Sequence, residues 1–215
     1  MNRLLTPWLG VMLISSLLVL TGCTGLNLGA ANATSWYTLA DMRAGETLPP
    51  ADRPIDRSLL IGPIDANPFF DSTQLAYSRN SSAHAYYQYA AWTDRPTRRL
   101  AQTIERRLAQ RRAFTAVASS TAGIRGDLSL NLTLDELFHL AQGQPQQGRI
   151  SLRAELVDLR SRTLLARQSF AASQPVIEAD SAGAVRALNA ALTQIIDEIV
   201  QWTEQSALAH APKSD

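Results

Sequence analysis

Leu128, Leu130, Leu132 and Leu134 alternate with polar residues through "DLSLNLTLDELFHL", and no other stretch restricts the fold as tightly. Only an extended strand places every second side chain on one face. This segment therefore belongs to a sheet whose leucine face is covered. The rest of the chain supplies both neighbouring strands and a cover. Predicted strands are "WYTLAD" (Trp36 to Asp41), "RSLLIGPI" (Arg57 to Ile64, ended by the Gly-Pro pair) and "AFTAVAS" (Ala113 to Ser119). Two hairpins join them: "TQLAYSR" with "HAYYQYAA" across "NSS", and "RISLRAELVDL" with "LLARQSFAAS" across "RSRT". Between residues 43 and 57, Gly45, Pro49, Pro50 and Pro54 exclude a regular helix and predict a connector. The cover comes from two amphipathic segments. Leu100, Ile104 and Leu108, joined by Ala101, recur at helical spacing after a cap at Thr93 or Asp94 and a tolerated Pro96. Val185, Leu188, Leu192, Ile195, Ile199 and Trp202 do the same after a cap at Asp180 or Ser181. The order β-β-β-β-α-β-β-β-β-α predicts one α+β domain: a mixed, mostly antiparallel sheet with two amphipathic helices on one face.

The start of the chain obeys a different logic. One basic residue, Arg3, precedes an uncharged run from Leu9 to Leu20, and the single cysteine follows at position 23. A bilayer-spanning helix needs about 20 apolar residues and a signal-peptide core about 7 to 15, so the run matches the latter. Leu20-Thr21-Gly22-Cys23 resembles the bacterial lipobox at all four positions. That resemblance implies a diacylglyceryl thioether on Cys23, cleavage after Gly22 and acylation of the new amino group. Three acyl chains on one residue hold a protein on a membrane far more firmly than one. Residues 1–22 then form a lipoprotein signal peptide, 23–34 an acylated tether, 35–206 the domain and 207–215 a frayed tail. Thr24 stands where enterobacterial sorting rules would have aspartate for inner-membrane retention, so the resemblance implies the periplasmic face of the outer membrane. With no second cysteine there is no disulfide, and the fold must rest on its core.

The remaining composition excludes more than it suggests. With 20 basic against 19 acidic residues the chain is close to neutral, which gives nucleic-acid binding no electrostatic support. All but one of the basic residues are arginine, as a G+C-rich genome would also produce. His84, His139 and His210 form no metal-ligand spacing and are expected to be surface or satisfied side chains. There is no nucleophile elbow, and a Ser-x-x-Lys pair is impossible with Lys213 the sole lysine. Asp135 and Glu136 are adjacent and are expected to be solvated turn residues. No phosphate-cradling glycine loop occurs, and the sequence calls for no cofactor, no metal and no catalytic residue. One region stands out. Tyr86, Tyr87, Tyr89 and Trp92 run into a helix bearing Arg98, Arg99, Arg106 and Arg107. Amphipathic aromatics beside a cationic face suit contact with a protein partner or anionic headgroups. Solvated arginines and a buried tryptophan are the plainer alternative.

Read together, the lipobox, "FFDSTQLAYSRN", "WTDRPTRRLAQTIERRL" and "AGAVRALNAALTQIIDEIV" resemble the ABC-type transport auxiliary lipoprotein family, in order and over roughly residues 20 to 200. The resemblance implies a non-catalytic accessory of an intermembrane phospholipid transport system. Its partners would be an MCE-domain protein and the associated ABC permease and ATPase, with the membrane reached through the lipid anchor. Self-association is left open. A lipoprotein that carries lipid in its own groove, or one that supports assembly of an outer-membrane β-barrel, are the alternative readings.

Overall fold

The computed structural model describes residues 33–80 and 82–211, so Cys23, Thr24 and the signal segment lie outside the described residues. Eight strands and two long helices follow one another in the expected order. They are β1 (Ser35–Tyr37), β2 (Ile55–Ala66), β3 (Gln74–Asn80), β4 (Ala83–Trp92), α1 (Pro96–Arg111), β5 (Phe114–Ser119), β6 (Leu128–Leu140), β7 (Gln147–Asp158), β8 (Thr163–Pro175) and α2 (Ser181–Ala209). The fold is α+β, with a single mixed sheet.

β6, the strand of alternating leucines, organises the sheet. One edge pairs antiparallel with β7 from Leu128↔Asp158 to Leu140↔Gln147, and β7 pairs in turn with β8. The other edge is shared. Its first half pairs parallel with β2, from Leu59↔Leu128 to Ala66↔Leu134. Its end pairs parallel with β3 at Tyr77↔His139 and Ser78↔Leu140. The sheet therefore forks: β2 continues to β5, and β3 continues to β4 and β1. The longest ladders are the antiparallel β6–β7 and β7–β8, whereas those of β6 with β2 and β3, β2 with β5, and β1 with β4 are parallel.

Leu128, Leu130, Leu132 and Leu134 are all buried, as period-two packing requires. α2 covers β7 and β8, α1 covers β2 and β5, and the helices touch each other. The predicted stripes face inward: Leu100, Ile104 and Leu108 on α1, and Leu188, Leu192, Ile195 and Ile199 on α2, are fully enclosed. α2 passes so close to β7 that a β-carbon on Gly148 would come within 2.7 Å of the Leu188 nitrogen.

Four details depart from the sequence reading. β1 is only three residues long, because Thr38 to Asp41 leave the sheet to bind α2, where Ala40 N–H donates to Asn189 Oδ1 (3.0 Å) and Met42 N–H to Thr193 Oγ1 (2.9 Å). β2 does not stop at Gly62-Pro63. Its ladder with β6 shifts register between Ile61 and Ile64, and Pro63, having no N–H to give, sits in that irregularity. Asp135 and Glu136 lie inside β6 rather than in a turn, at a register shift between Leu134 and Glu136, with Asp135 bound to Arg153 at 2.8 Å. The last helix runs on to Ala209 with Ala207 buried. Helix capping also divides. Asp180 caps α2, accepting from Gly183 N–H at 2.7 Å. The N-cap of α1 is Arg95, which makes no side-chain bond, and neither Thr93 nor Asp94 fills that place. Its first turn is capped instead by Asp71 from the preceding loop, which accepts from Thr97 N–H (3.1 Å) and Thr97 Oγ1 (2.7 Å).

Candidate functional site

The aromatic run and the arginine helix predicted as one surface separate into a core part, a helix face and a cleft. Trp92 is 2% exposed and belongs to the core, so it offers nothing to a partner. Arg107 is also 2% exposed and is likewise no surface contact. Its guanidinium donates to Asp41 Oδ2 at 2.9 Å and to Asp197 Oδ1, tying the segment after β1 to both helices. Arg43 completes the cluster with bonds to Asp197 (3.0 Å) and Glu46 (2.7 Å). The spacing of Arg107, three after Ile104 and seven after Leu100, was the signal for an inner-face position, but the acidic partners that make burial possible lie far off in sequence. Arg99 is half-buried, with its Nε donating to Leu39 O. Arg98 and Arg106, two turns apart, remain exposed on the outer side of α1. Arg98 has only a loose pair with Asp94 at 3.5 Å, worth little in water.

The tyrosines gather elsewhere. β4 pairs Tyr86 with Ala76 but next pairs Ala91 with Gln74, so Tyr87 to Ala90 swell out of the ladder. Such bulges redirect side chains that would otherwise point alternately up and down. Tyr86 turns inward, stacking on Phe69 at 4.3 Å and donating its hydroxyl to Phe69 O at 2.9 Å. Tyr87 and Tyr89 line a cleft of about 720 Å³ between the β3–β4 hairpin and the start of α2. Tyr77 and Arg79 of β3, His139 of β6, Gln146 and Ser181 complete its wall. The chain has five tyrosines; four line this cleft, and the fifth, Tyr37, shares a 3.0 Å hydroxyl bond with Ser181 on its rim.

Electrostatics within the cleft are mild. Arg79 lies over the Tyr77 ring at 5.3 Å and makes no ion pair among the described residues. His139 is 2% exposed, and burial lowers its pKa, which keeps the imidazole neutral at pH 7. Its Nδ1 meets Tyr87 Oη at 2.6 Å, while its Nε2 has no well-aligned hydrogen-bond partner, and the nearby Gln146 side chain only partly offsets the effect of burial. Burial, aided by Asp180 and Tyr77, pushes the Tyr87 pKa up to about 12, so its hydroxyl stays protonated. Tyr87 then donates to Nδ1, and the imidazole proton sits on Nε2. The expectation of a satisfied or surface histidine therefore fails at His139. Sequence alone hid it, together with Tyr77, Arg79 and Ser181, because β3, β6 and α2 meet only in the fold. The concentration of tyrosine around residue 87 was the visible signal. Among the described residues no group of His, Cys, Asp or Glu could hold a metal ion, and no helix is long and apolar enough to cross a membrane.

Comparison with known proteins agrees with this architecture. No curated protein matches the chain. Protein XCC0632 of Xanthomonas campestris, of family DUF330, superposes with a TM-score of 0.72 at 21% identity, over 81% of this chain and 98% of that one. CT253 of Chlamydia trachomatis superposes with a TM-score of 0.52 at 11% identity, over 72% and 99% of the two chains. These likenesses show the fold. The family described as "ABC-type transport auxiliary lipoprotein component" matches residues 37–200, from the end of β1 to the last turns of α2, and the chain belongs to that family.

Proposed function

We propose that this chain is the outer-membrane-anchored, non-catalytic accessory component of an ABC/MCE-type intermembrane phospholipid transport system. Acylated Cys23 holds it at the periplasmic face, and the folded domain docks the MCE-domain protein that works with the ABC permease and ATPase. The family match over residues 37–200 carries this reading, since the family is an auxiliary part of ABC-type transport. A tether of about ten residues spans at most about 35 Å when extended, which lets the domain stand clear of the membrane yet stay tied to it.

Exposed Arg98 and Arg106 supply the cationic face for an acidic region of the partner, a contact of the kind that sets encounter rate and register. Co-purification of the MCE-domain protein with an Arg98→Glu/Arg106→Glu variant tests the assignment. Retention reduced about tenfold or more, with an unchanged unfolding midpoint, is the expected result. Full retention by the folded variant removes the arginine face from the proposal, and failure of the unaltered chain to retain the partner removes the MCE reading itself.

A further inference from the structure

The cleft holds chemistry that docking by α1 does not use. Its floor is a buried imidazole whose Nε2–H lacks an acceptor, which normally costs about 1–3 kcal/mol and is tolerated where a ligand or water completes the bond. On one side is Arg79, without a carboxylate partner among the described residues and spread over the Tyr77 ring. On the other is the start of α2, a helix of 29 residues. The first N–H groups of a helix have no acceptor within it. Asp180 takes that of Gly183, which leaves that of Ser181 at the rim. A positive guanidinium, a helix N–H group and an imidazole nitrogen without an acceptor line one cleft, which is the donor set of an oxyanion site.

The same rim carries a negative charge. Asp180, between the lining residues Ala179 and Ser181, raises the proton affinity of Tyr87, and Arg79 lowers it. Asp180 bonds Gly183 through Oδ1 alone, so Oδ2 remains for another donor. Beside it stand the hydroxyls and ring faces of Tyr87 and Tyr89, which attract cations through their π-electrons. A polyanion would be repelled by Asp180, and a simple cation by Arg79. A ligand with both charges a few atoms apart satisfies each end.

We propose that this tyrosine cleft binds a zwitterionic phosphate ester. Its phosphate lies on Arg79, the α2 start and His139, and its ammonium on Asp180 and the tyrosine faces. O-phosphoethanolamine is the simplest such molecule, and an aminophospholipid headgroup presents the same groups. Only the choice of a lipid as the source rests on the transport reading above; the chemistry of the cleft does not.

The test is titration of the full acylated chain in detergent, followed by the tyrosine ring-proton resonances, since four of the five tyrosines line the cleft. The probes are O-phosphoethanolamine, inorganic phosphate, and micelles doped with short-chain phosphatidylethanolamine. Arg79→Gln is expected to weaken O-phosphoethanolamine and phosphate alike by about tenfold. Asp180→Asn keeps a side chain that caps helices equally well. It is expected to weaken O-phosphoethanolamine while strengthening phosphate. A doped micelle bound tightly where the soluble ester binds weakly identifies the lipid as the source, and equal binding identifies a free ester. No shift with any probe overturns the proposal. So does an Asp180→Asn variant that binds the two soluble probes like the unaltered chain, or an Arg79→Gln variant that binds both undiminished. Because Arg98 and Arg106 lie on the outer face of α1, failure here leaves the docking experiment unaffected.

Discussion

Arg107 shows what a buried charge demands of its neighbours. Enclosed between Asp41 and Asp197, it balances an Asp41 side chain with no exposure at all. Arg107→Met would leave that carboxylate buried without a cation, and removing one partner of such a pair costs about 3–5 kcal/mol. Urea unfolding should show this as a lowered midpoint, and Asp41→Asn in the same chain should recover a substantial part of the loss. His139 is the second residue-scale device. Its unfolded imidazole titrates near 6.5 and its folded one lower, so on acidification protons bind the unfolded chain first. Stability should therefore fall as pH drops below about 6.5, and His139→Gln should flatten that part of the profile in unfolding midpoints measured from pH 7.5 to 5. Arg107 and His139 were both visible as letters. What they do was not, because their partners lie 66, 90 and 52 positions away.

At the scale of elements, periodicity was legible wherever one face alone is wet. The leucines of β6, the two hairpins and the stripes of both helices all lie where alternation or helical spacing puts them. Misreadings fell on positions where a remote element overrides a local rule. Pro63 is carried through β2 by a register shift against β6, and the first turn of α1 is capped by Asp71 rather than by the adjacent Thr93 or Asp94. Close passage of α2 over β7 yields a further test. Gly148→Ala must displace backbone at Leu188 and Ala187, not merely a flexible side chain. A loss of about 1–3 kcal/mol is expected from overpacking of this kind, measurable by denaturant unfolding, with Gly143→Ala as a control on a loop glycine in open space but at positive φ.

For the whole molecule, the proposed anchor and the folded domain can be tested separately. Cys23→Ala should abolish acylation and leave a chain of precursor size that folds but is not held on the membrane by lipid. Fractionation and metabolic labelling with palmitate would show it. A variant still acylated and membrane-held would refute the lipobox reading. What the sequence by itself determined is whatever a short window encodes: which segments are strands or helices, which face of each is apolar, and the family. Only the tertiary structure decided how β6 divides its edge between β2 and β3, that Arg107 is buried beside Asp41, and that four of the five tyrosines line one cleft with His139. Periodicity specifies that a face is buried but carries no address for the element that buries it. Those addresses come from packing between distant segments, and the cleft is assembled from four of them.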